Sequence, residues 1–282
     1  MSARVFAPAK VNLTLEVGPA GADGRHPLRS LVAFADCGDW VSAREADGLS
    51  LEVSGPFARD LAGEADNLVL RAARALDAAA GGSGRGAALL LDKNLPVASG
   101  LGGGSSDAAA ALKALNALWG LGFDAARLGE VAAGLGADVP ACVAACSGLM
   151  RGSGEVFEPA PGPKFETVLA NPGVAVSTAE VYRTFDALGL GGAFARERAF
   201  SWRDVGVIGN DLEAPALAVA PEIAAARDAL IGGDGVSHVA LSGSGATWFA
   251  LMQSQAHALA LADALARAHP AWWVRAVTLG GA

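Results

Sequence analysis

The chain has 282 residues, enough for one large or two modest domains. Its 21 Lys and Arg against 29 Asp and Glu leave a net charge of −8 and a pI near 5.0, which excludes a basic nucleic-acid footprint and disfavours anchoring on an anionic membrane. Hydrophobic residues make up 52% and charged residues 18%, so a core can form, while no apolar run reaches the roughly 18 residues of a membrane span.

The elements follow in chain order. Residues 11–17 alternate apolar and polar and read as a strand, which places Lys10 and Asn12, two apart, on one face. Residues 49–53 repeat the alternation. Asp66 is read as the opener of a capped helix over 67–80, followed by a short strand over 87–91. Ser105 or Ser106 caps a helix running to about Trp119, and further helices are read over 124–134 and 141–146. Cys142 and Cys146 would then share a helical face. With Cys37 they are too few for a disulfide framework and fit a reducing compartment, and their reading is packing rather than metal binding. No apolar segment follows the first basic residues, so no signal peptide is read. The Pro- and Gly-rich stretch 159–163 marks a domain boundary. Beyond it come a strand over 167–170, helices over 178–188 and 221–230, strands over 236–241 and 247–251, a helix over 255–268 and a strand over 273–277. Mixed strands and helices in both halves give an α+β class with two layers per domain.

The strongest chemical signal is Leu95-Pro96-Val97-Ala98-Ser99-Gly100-Leu101-Gly102-Gly103-Gly104-Ser105-Ser106-Asp107 ahead of an alanine-rich helix. Glycines let the backbone turn tightly and expose N–H groups, and a helix start adds unpaired donors and a positive dipole end. The plain alternative is a flexible loop that only caps the helix. The preceding proline, the dense glycines and the paired serines favour an anion cradle, with phosphate as its tenant. The motifs of P-loop NTPases, dinucleotide-binding folds, protein kinases and nucleophile-elbow hydrolases are absent from the sequence. Three shorter segments stand out beside it: Pro8-Ala9-Lys10-Val11-Asn12-Leu13, Gly136-Ala137-Asp138-Val139-Pro140, and the small-residue turn Ser242-Gly243-Ser244-Gly245-Ala246. Read alone, Lys10 is a surface lysine, Asp138 a turn or cap residue, and the turn a hairpin.

In order, wording and spacing these segments resemble the GHMP kinases over nearly the whole chain. Asp23-Gly24-Arg25-His26, Asp66-Asn67-Leu68, residues 171–178 and Asn210-Asp211-Leu212-Glu213 fall in family order too. The Gly-Leu-Gly-Gly-Gly-Ser-Ser wording is that of the superfamily. Asp-Gly-x-His and Gly-Ala-Asp-Val-Pro are similar to its branch acting on a cytidine-diphosphate-linked methylerythritol. The resemblance implies a two-domain fold, with a ribosomal-protein-S-five-like N-terminal, ATP-binding domain over 1–158 and a ferredoxin-like C-terminal domain over 159–282. It implies transfer of the ATP γ-phosphoryl group to a hydroxyl of that small molecule. Homoserine-type or mevalonate-type kinase activity, or a non-catalytic kinase-like binding protein, are the alternatives.

By the same resemblance Asp138 is the base that accepts the hydroxyl proton, with Lys10 the nearby cation. ATP is held by Asn67, Lys93, Pro96, Gly100, Gly102, Gly103, Gly104, Ser105 and Ser106. The acceptor is held by Asn12, Arg25, His26, Thr178, Tyr182 and Gly243, with Tyr182 the aromatic that stacks on the base and Phe185 the fallback. Arg25 stands where the family usually has tyrosine; an arginine plane can also stack on a base and adds positive charge near a diphosphate. Mg²⁺ is expected on the nucleotide phosphates, with no protein ligand named. The remaining expectations are a cytoplasmic protein, monomeric or weakly dimeric, with no nucleic-acid or membrane partner.

Overall fold

A computed structural model describes residues 2–62, 66–192, 194 and 201–280. In chain order the elements are β1 (Ser2–Asn12), β2 (Glu16–Val17), β3 (Leu28–Arg44), β4 (Leu49–Ser54), α1 (Leu68–Ala79), β5 (Ala87–Asp92), α2 (Gly103–Leu118), α3 (Ala125–Ala133) and α4 (Val139–Ala144). There follow β6 (Gly148–Arg151), β7 (Val156–Pro159), β8 (Phe165–Asn171), α5 (Thr178–Ala187), α6 (Glu213–Val219), α7 (Ala224–Ile231), β9 (Val236–Leu241), β10 (Trp248–Met252), α8 (Gln255–Ala268) and β11 (Trp273–Leu279).

Two compact units form, and neither is one continuous stretch. The first holds residues up to Ala9, Gly38–Val97 and Gly102–Ala145; the second holds Lys10–Cys37, Ala98–Leu101 and Cys146 onward. In the first unit β4 pairs in parallel with β5, and β5 pairs antiparallel with the Trp40–Arg44 end of β3. Helices α1 to α4 complete it. The apolar face of α1 buries Val69, Ala72, Ala73 and Leu76, while α2 is buried at every position from Ser106 to Leu112. Small alanines along α2 let the neighbouring helices pack close, and helix interiors without polar side chains need such enclosure.

In the second unit the strand order β11-β8-β10-β9 is antiparallel throughout. With α7 ahead of β9 and α8 between β10 and β11, this is the ferredoxin-like βαββαβ arrangement. Its core gathers Trp248, Phe185, Val168, Ile223, Leu230 and Val274, among others. Each fully buried side chain of that kind contributes roughly 1.5–3 kcal/mol.

Several boundaries differ from the sequence expectation. The strand read over 11–17 is the end of β1, a break at Leu13 and Thr14, and the short β2. The cap of α1 is Asn67, whose Oδ1 accepts from Val69 N at 2.9 Å, so Asp66 does not open the helix. Helix α2 begins before both serines, with Gly102 as its N-cap at φ 61°. Only glycine adopts that left-handed conformation without strain, so the turn residue, not a serine hydroxyl, sets the helix start. Helix α4 ends at Ala144, where Ala145 turns left-handed at φ 48°, so Cys142 and Cys146 do not share a helical face.

Candidate active site

The first turn of α2 carries the anion-cradle residues Gly103, Gly104 and Ser105. The first helical bond in the turn is Ser106 N to Gly102 O at 2.9 Å, so the N–H groups of the preceding residues have no acceptor within the helix. Gly104 is exposed, and a Cβ there would meet nothing within 4 Å. Packing therefore does not demand this glycine. Ser105 is half-buried. Ser106 faces the other way: it is buried and its Oγ donates to Pro8 O at 2.7 Å. The hydroxyl can still accept a bond, but its proton is committed to β1.

Behind this turn lies a buried ion cluster. Lys93 Nζ donates to Asp39 Oδ2 at 2.5 Å and to Asp107 Oδ2 at 2.8 Å. Asp39 Oδ1 accepts from the backbone N–H of Asn94 and Leu95, so one carboxylate fixes the segment that follows β5. Burial acts to lower the Lys93 pKa, but the Asp107 and Asp39 carboxylates outweigh it and leave it raised. Burial pushes Asp107 up to about 7, with the Asp39 charge adding to the rise and Lys93 opposing it. The Lys93 ammonium thus serves carboxylates in the interior. Pro96 is buried just beyond it, and Asn67 is buried at its capping position.

Asp138 stands at the N-cap position of α4, half-buried, and its carboxylate makes no capping bond to that helix. Of the plain reading, the turn position holds and the side-chain cap does not.

In the second unit, Lys10 and Asn12 share a strand face as expected, and Lys10 Nζ donates to Asn12 Oδ1 at 3.0 Å. Asn12 Nδ2 donates to Ser30 Oγ at 2.7 Å, and Ser30 Oγ–H donates in turn to Thr14 O. Both ends of the amide are engaged, so Asn12 acts as an orienter of the buried ammonium. The turn after β9 meets the same strand. Ser242 Oγ accepts from Asn12 N at 3.2 Å and donates to Gly100 O at 2.9 Å. A Cβ on Gly100 would lie 2.2 Å from Ser242 O, and one on Gly243 would lie 3.2 Å from Gly100 O. Asn210 Nδ2 donates to Leu241 O and Gly243 O and holds the turn from its other side.

Also in this unit, His26 is buried and its Nδ1–H donates to Gly18 O at 3.0 Å, which turns Nε2 toward Asp186, 3.5 Å away. Its ring packs on Tyr182 at 5.0 Å between centroids and edge-on against Phe185 at 5.6 Å. Phe185 is fully buried in the core, so Tyr182 is the aromatic with a surface to offer. Arg25 is exposed, with its backbone N–H bonded to Asp23 Oδ1. Thr178 Oγ1 lies 2.8 Å from Ser244 Oγ, at the start of α5.

Reasoning from sequence missed Asp39 and the bridging role of Ser242. Asp39 sits in a strand with no motif around it; Ser242 was visible only as one small residue of a turn. Among the described residues no group of three His, Cys, Asp or Glu side chains could hold a metal ion, and no helix is long and apolar enough to cross a membrane.

Comparison with known proteins aligns these segments with one family. The family model for the GHMP kinases N terminal domain matches residues 67–145, and that for the GHMP kinases C terminal domain matches residues 171–271. The chain is 48% identical to the 4-diphosphocytidyl-2-C-methyl-D-erythritol kinase of Parvibaculum lavamentivorans, over 98% of this chain and 97% of that protein. It is also 48% identical to the kinase of the same name from Hyphomonas neptunium, over 98% and 96%. A crystal structure of 4-(cytidine 5'-diphospho)-2C-methyl-D-erythritol kinase superposes with a TM-score of 0.80 at 36% identity, covering 99% of this chain and 100% of that one.

Proposed function

The chain belongs to the GHMP kinase family, and from that premise we propose that it phosphorylates a hydroxyl of 4-diphosphocytidyl-2-C-methyl-D-erythritol with ATP. The products are the 2-phosphate and ADP, on the non-mevalonate route to isoprenoid precursors. The single observation that carries the reading is the end-to-end correspondence with kinases of that compound.

When bound, ATP would supply the phosphoryl group and Mg²⁺ would supply charge neutralisation, with no protein ligand assigned to the metal. The chain's own residues position and polarise. The open N–H groups of Gly103, Gly104 and Ser105 and the dipole of the 16-residue α2 hold the nucleotide phosphates, with Gly102 setting the turn. The bare backbone at Gly104 fits that use, since a Cβ there would fill the approach. Asn67, Pro96 and the backbone around Lys93 line the nucleotide, and Gly100 and Ser106 shape the loop and helix start by the bonds described above. Asp138 takes the proton of the attacking hydroxyl. Lys10, oriented by Asn12, supplies positive charge to the developing oxyanion. His26, Tyr182 and Arg25 receive the cytidine end, and Thr178 and Gly243 contact the acceptor. ATP binding is assigned to the sequence span 1–158 and the family's C-terminal part to 159–282, although residues 10–37, 98–101 and 146–158 pack with the second unit. The protein works in the cytoplasm as a monomer or weak homodimer, on a small molecule and without nucleic-acid or membrane partners.

A coupled ADP-release assay tests this reading. It compares the cytidylyl acceptor with the uncapped methylerythritol phosphate, homoserine and mevalonate. Turnover with the cytidylyl acceptor alone is expected; turnover with another acceptor, or none with a folded protein that binds ATP, overturns the assignment. In the same assay Asp138→Asn lowers kcat by about 10²–10⁴, the range of a lost general base, while the ADP Kd, read by calorimetry, stays within about twofold.

A further inference from the structure

Three ionisable side chains that phosphoryl transfer itself does not use lie together behind the first turn of α2. Asp39, Lys93 and Asp107 are 0%, 2% and 3% exposed. Lys93 Nζ bridges the two carboxylates, and a Cβ on Gly103 would lie 2.9 Å from that nitrogen. The ammonium therefore occupies the space a side chain at the first helical residue would need. Asp39 ties the cluster to β3 and to the segment after β5, and Asp107 ties it to α2 itself. Asp39 and Lys93 are the charged groups that act on Asp107.

We infer that Asp107 is a positioning residue for the nucleotide: through Lys93 it fixes the first turn of α2, and its protonation sets how strongly that turn attracts phosphate. The inference rests on the reading that this turn holds the ATP phosphates. With both carboxylates ionised the cluster carries a net charge of −1; with Asp107 protonated it is neutral. Asp107 Oδ1 is buried and has no hydrogen-bond partner among the described residues. An unpaired oxygen of that kind is tolerated at lower cost on a neutral carboxyl than on an ionised one. Burial, with Asp39 adding to it, raises Asp107 to about 7, so the change of charge falls near neutrality. Ionisation puts negative charge directly behind the N–H groups that face an anionic ligand. A like charge about 8 Å away, in surroundings between the ~20 of a protein surface and the ~80 of water, weakens binding on the order of fivefold.

The test is calorimetric. The Kd of ADP with magnesium is measured from pH 6.0 to 8.5 for the unaltered protein and for Asp107→Asn, with the melting temperature of each recorded. Asparagine keeps the size and an oxygen acceptor for Lys93 but cannot ionise. The nucleotide's own ionisation occurs in both titrations and cancels in the ratio of the two Kd values. That ratio, unaltered protein over variant, is expected near 1 at pH 6.0 and about 5 at pH 8.5, with the KM of the acceptor showing no matching trend. A flat ratio, or a parallel change in the acceptor KM, overturns the inference. An unaltered protein that binds no nucleotide at any pH overturns it together with the reading beneath it. Should the variant fail to fold, proton uptake by the unaltered protein at pH 8.0 replaces the ratio, read from ADP titrations in buffers of different ionisation enthalpy. Uptake is expected, because a bound anion raises the Asp107 pKa further; no uptake overturns the inference.

Discussion

Two glycine-rich turns of similar wording behave in opposite ways. The start of α2 uses glycine to leave its donors open: Gly104 has no neighbour within reach of a Cβ, and the N–H groups before Ser106 have no helical acceptor. The turn after β9 uses glycine and serine to spend its polar groups on the chain itself. Ser242 N donates to Thr247 O, Gly245 N donates to Ser242 O, and the Ser242 hydroxyl joins Asn12 to Gly100. Glycine content alone therefore does not mark a cradle of open backbone donors. What distinguishes the two is where the backbone donors go, and that depends on partners far away in sequence.

The contrast yields its largest effect at Gly100. This residue has φ 77°, and an added Cβ would lie 2.2 Å from Ser242 O, a backbone atom that cannot swing aside. Gly100→Ala is expected to cost about 3 kcal/mol or more, the sum of a left-handed conformation and forced overpacking. Urea unfolding monitored by circular dichroism reads it; a loss under 1 kcal/mol breaks the view that packing demands this glycine. The opposite outcome is expected at Gly104. Alanine there stabilises the fold by about 0.5 kcal/mol through helix propensity. The same substitution weakens ADP binding on the order of tenfold, equal to 1.4 kcal/mol, because the methyl group stands where phosphate approaches the N–H groups. Unchanged ADP affinity would place the phosphates elsewhere.

Much of the second unit was legible because its helices and strands carry clean periods. The helix read over 255–268 has the bounds of α8, where Ser254 caps the start and accepts from His257 N. The strand over 236–241 has the bounds of β9. The longest strand, β3, was not legible. Its Leu31, Val32, Ala33, Phe34 and Ala35 are all buried, so that stretch shows no alternation, and Gly38 and Asp39 interrupt it in a way that reads as a turn. Gly38 sits there because a Cβ would lie 2.2 Å from Ala7 O, and Asp39 because it holds Lys93 and two backbone N–H groups. Both reasons are tertiary. The face shared by Lys10 and Asn12 was legible from spacing alone, and their hydrogen bond follows from it. The resemblance offered Lys93 for the nucleotide site, but the inward turn of its ammonium was not legible, because both of its partners come from other elements.

The smallest expected effect sharpens the comparison at Ala98, a non-glycine residue held at φ 50° just ahead of Ser99 and Gly100. Its neighbour is pinned by the bond from Thr247 N to Ser99 O at 3.1 Å, so the conformation is imposed by the turn after β9. Ala98→Gly relieves about 1 kcal/mol of left-handed strain. Against this, glycine gains freedom in the unfolded chain, worth about 0.4–1 kcal/mol in the other direction. The two nearly cancel, and the denaturation midpoint is expected to move by less than the equivalent of about 0.5 kcal/mol. A gain well above that would mean the imposed turn stores more strain than one residue ordinarily carries. A comparable loss would mean that the Ala98 methyl, although exposed, makes a contact that holds the loop. The loss would assign the conformation of this segment to a force other than the hydrogen bonds of the turn, and would narrow the difference between the two glycine-rich regions.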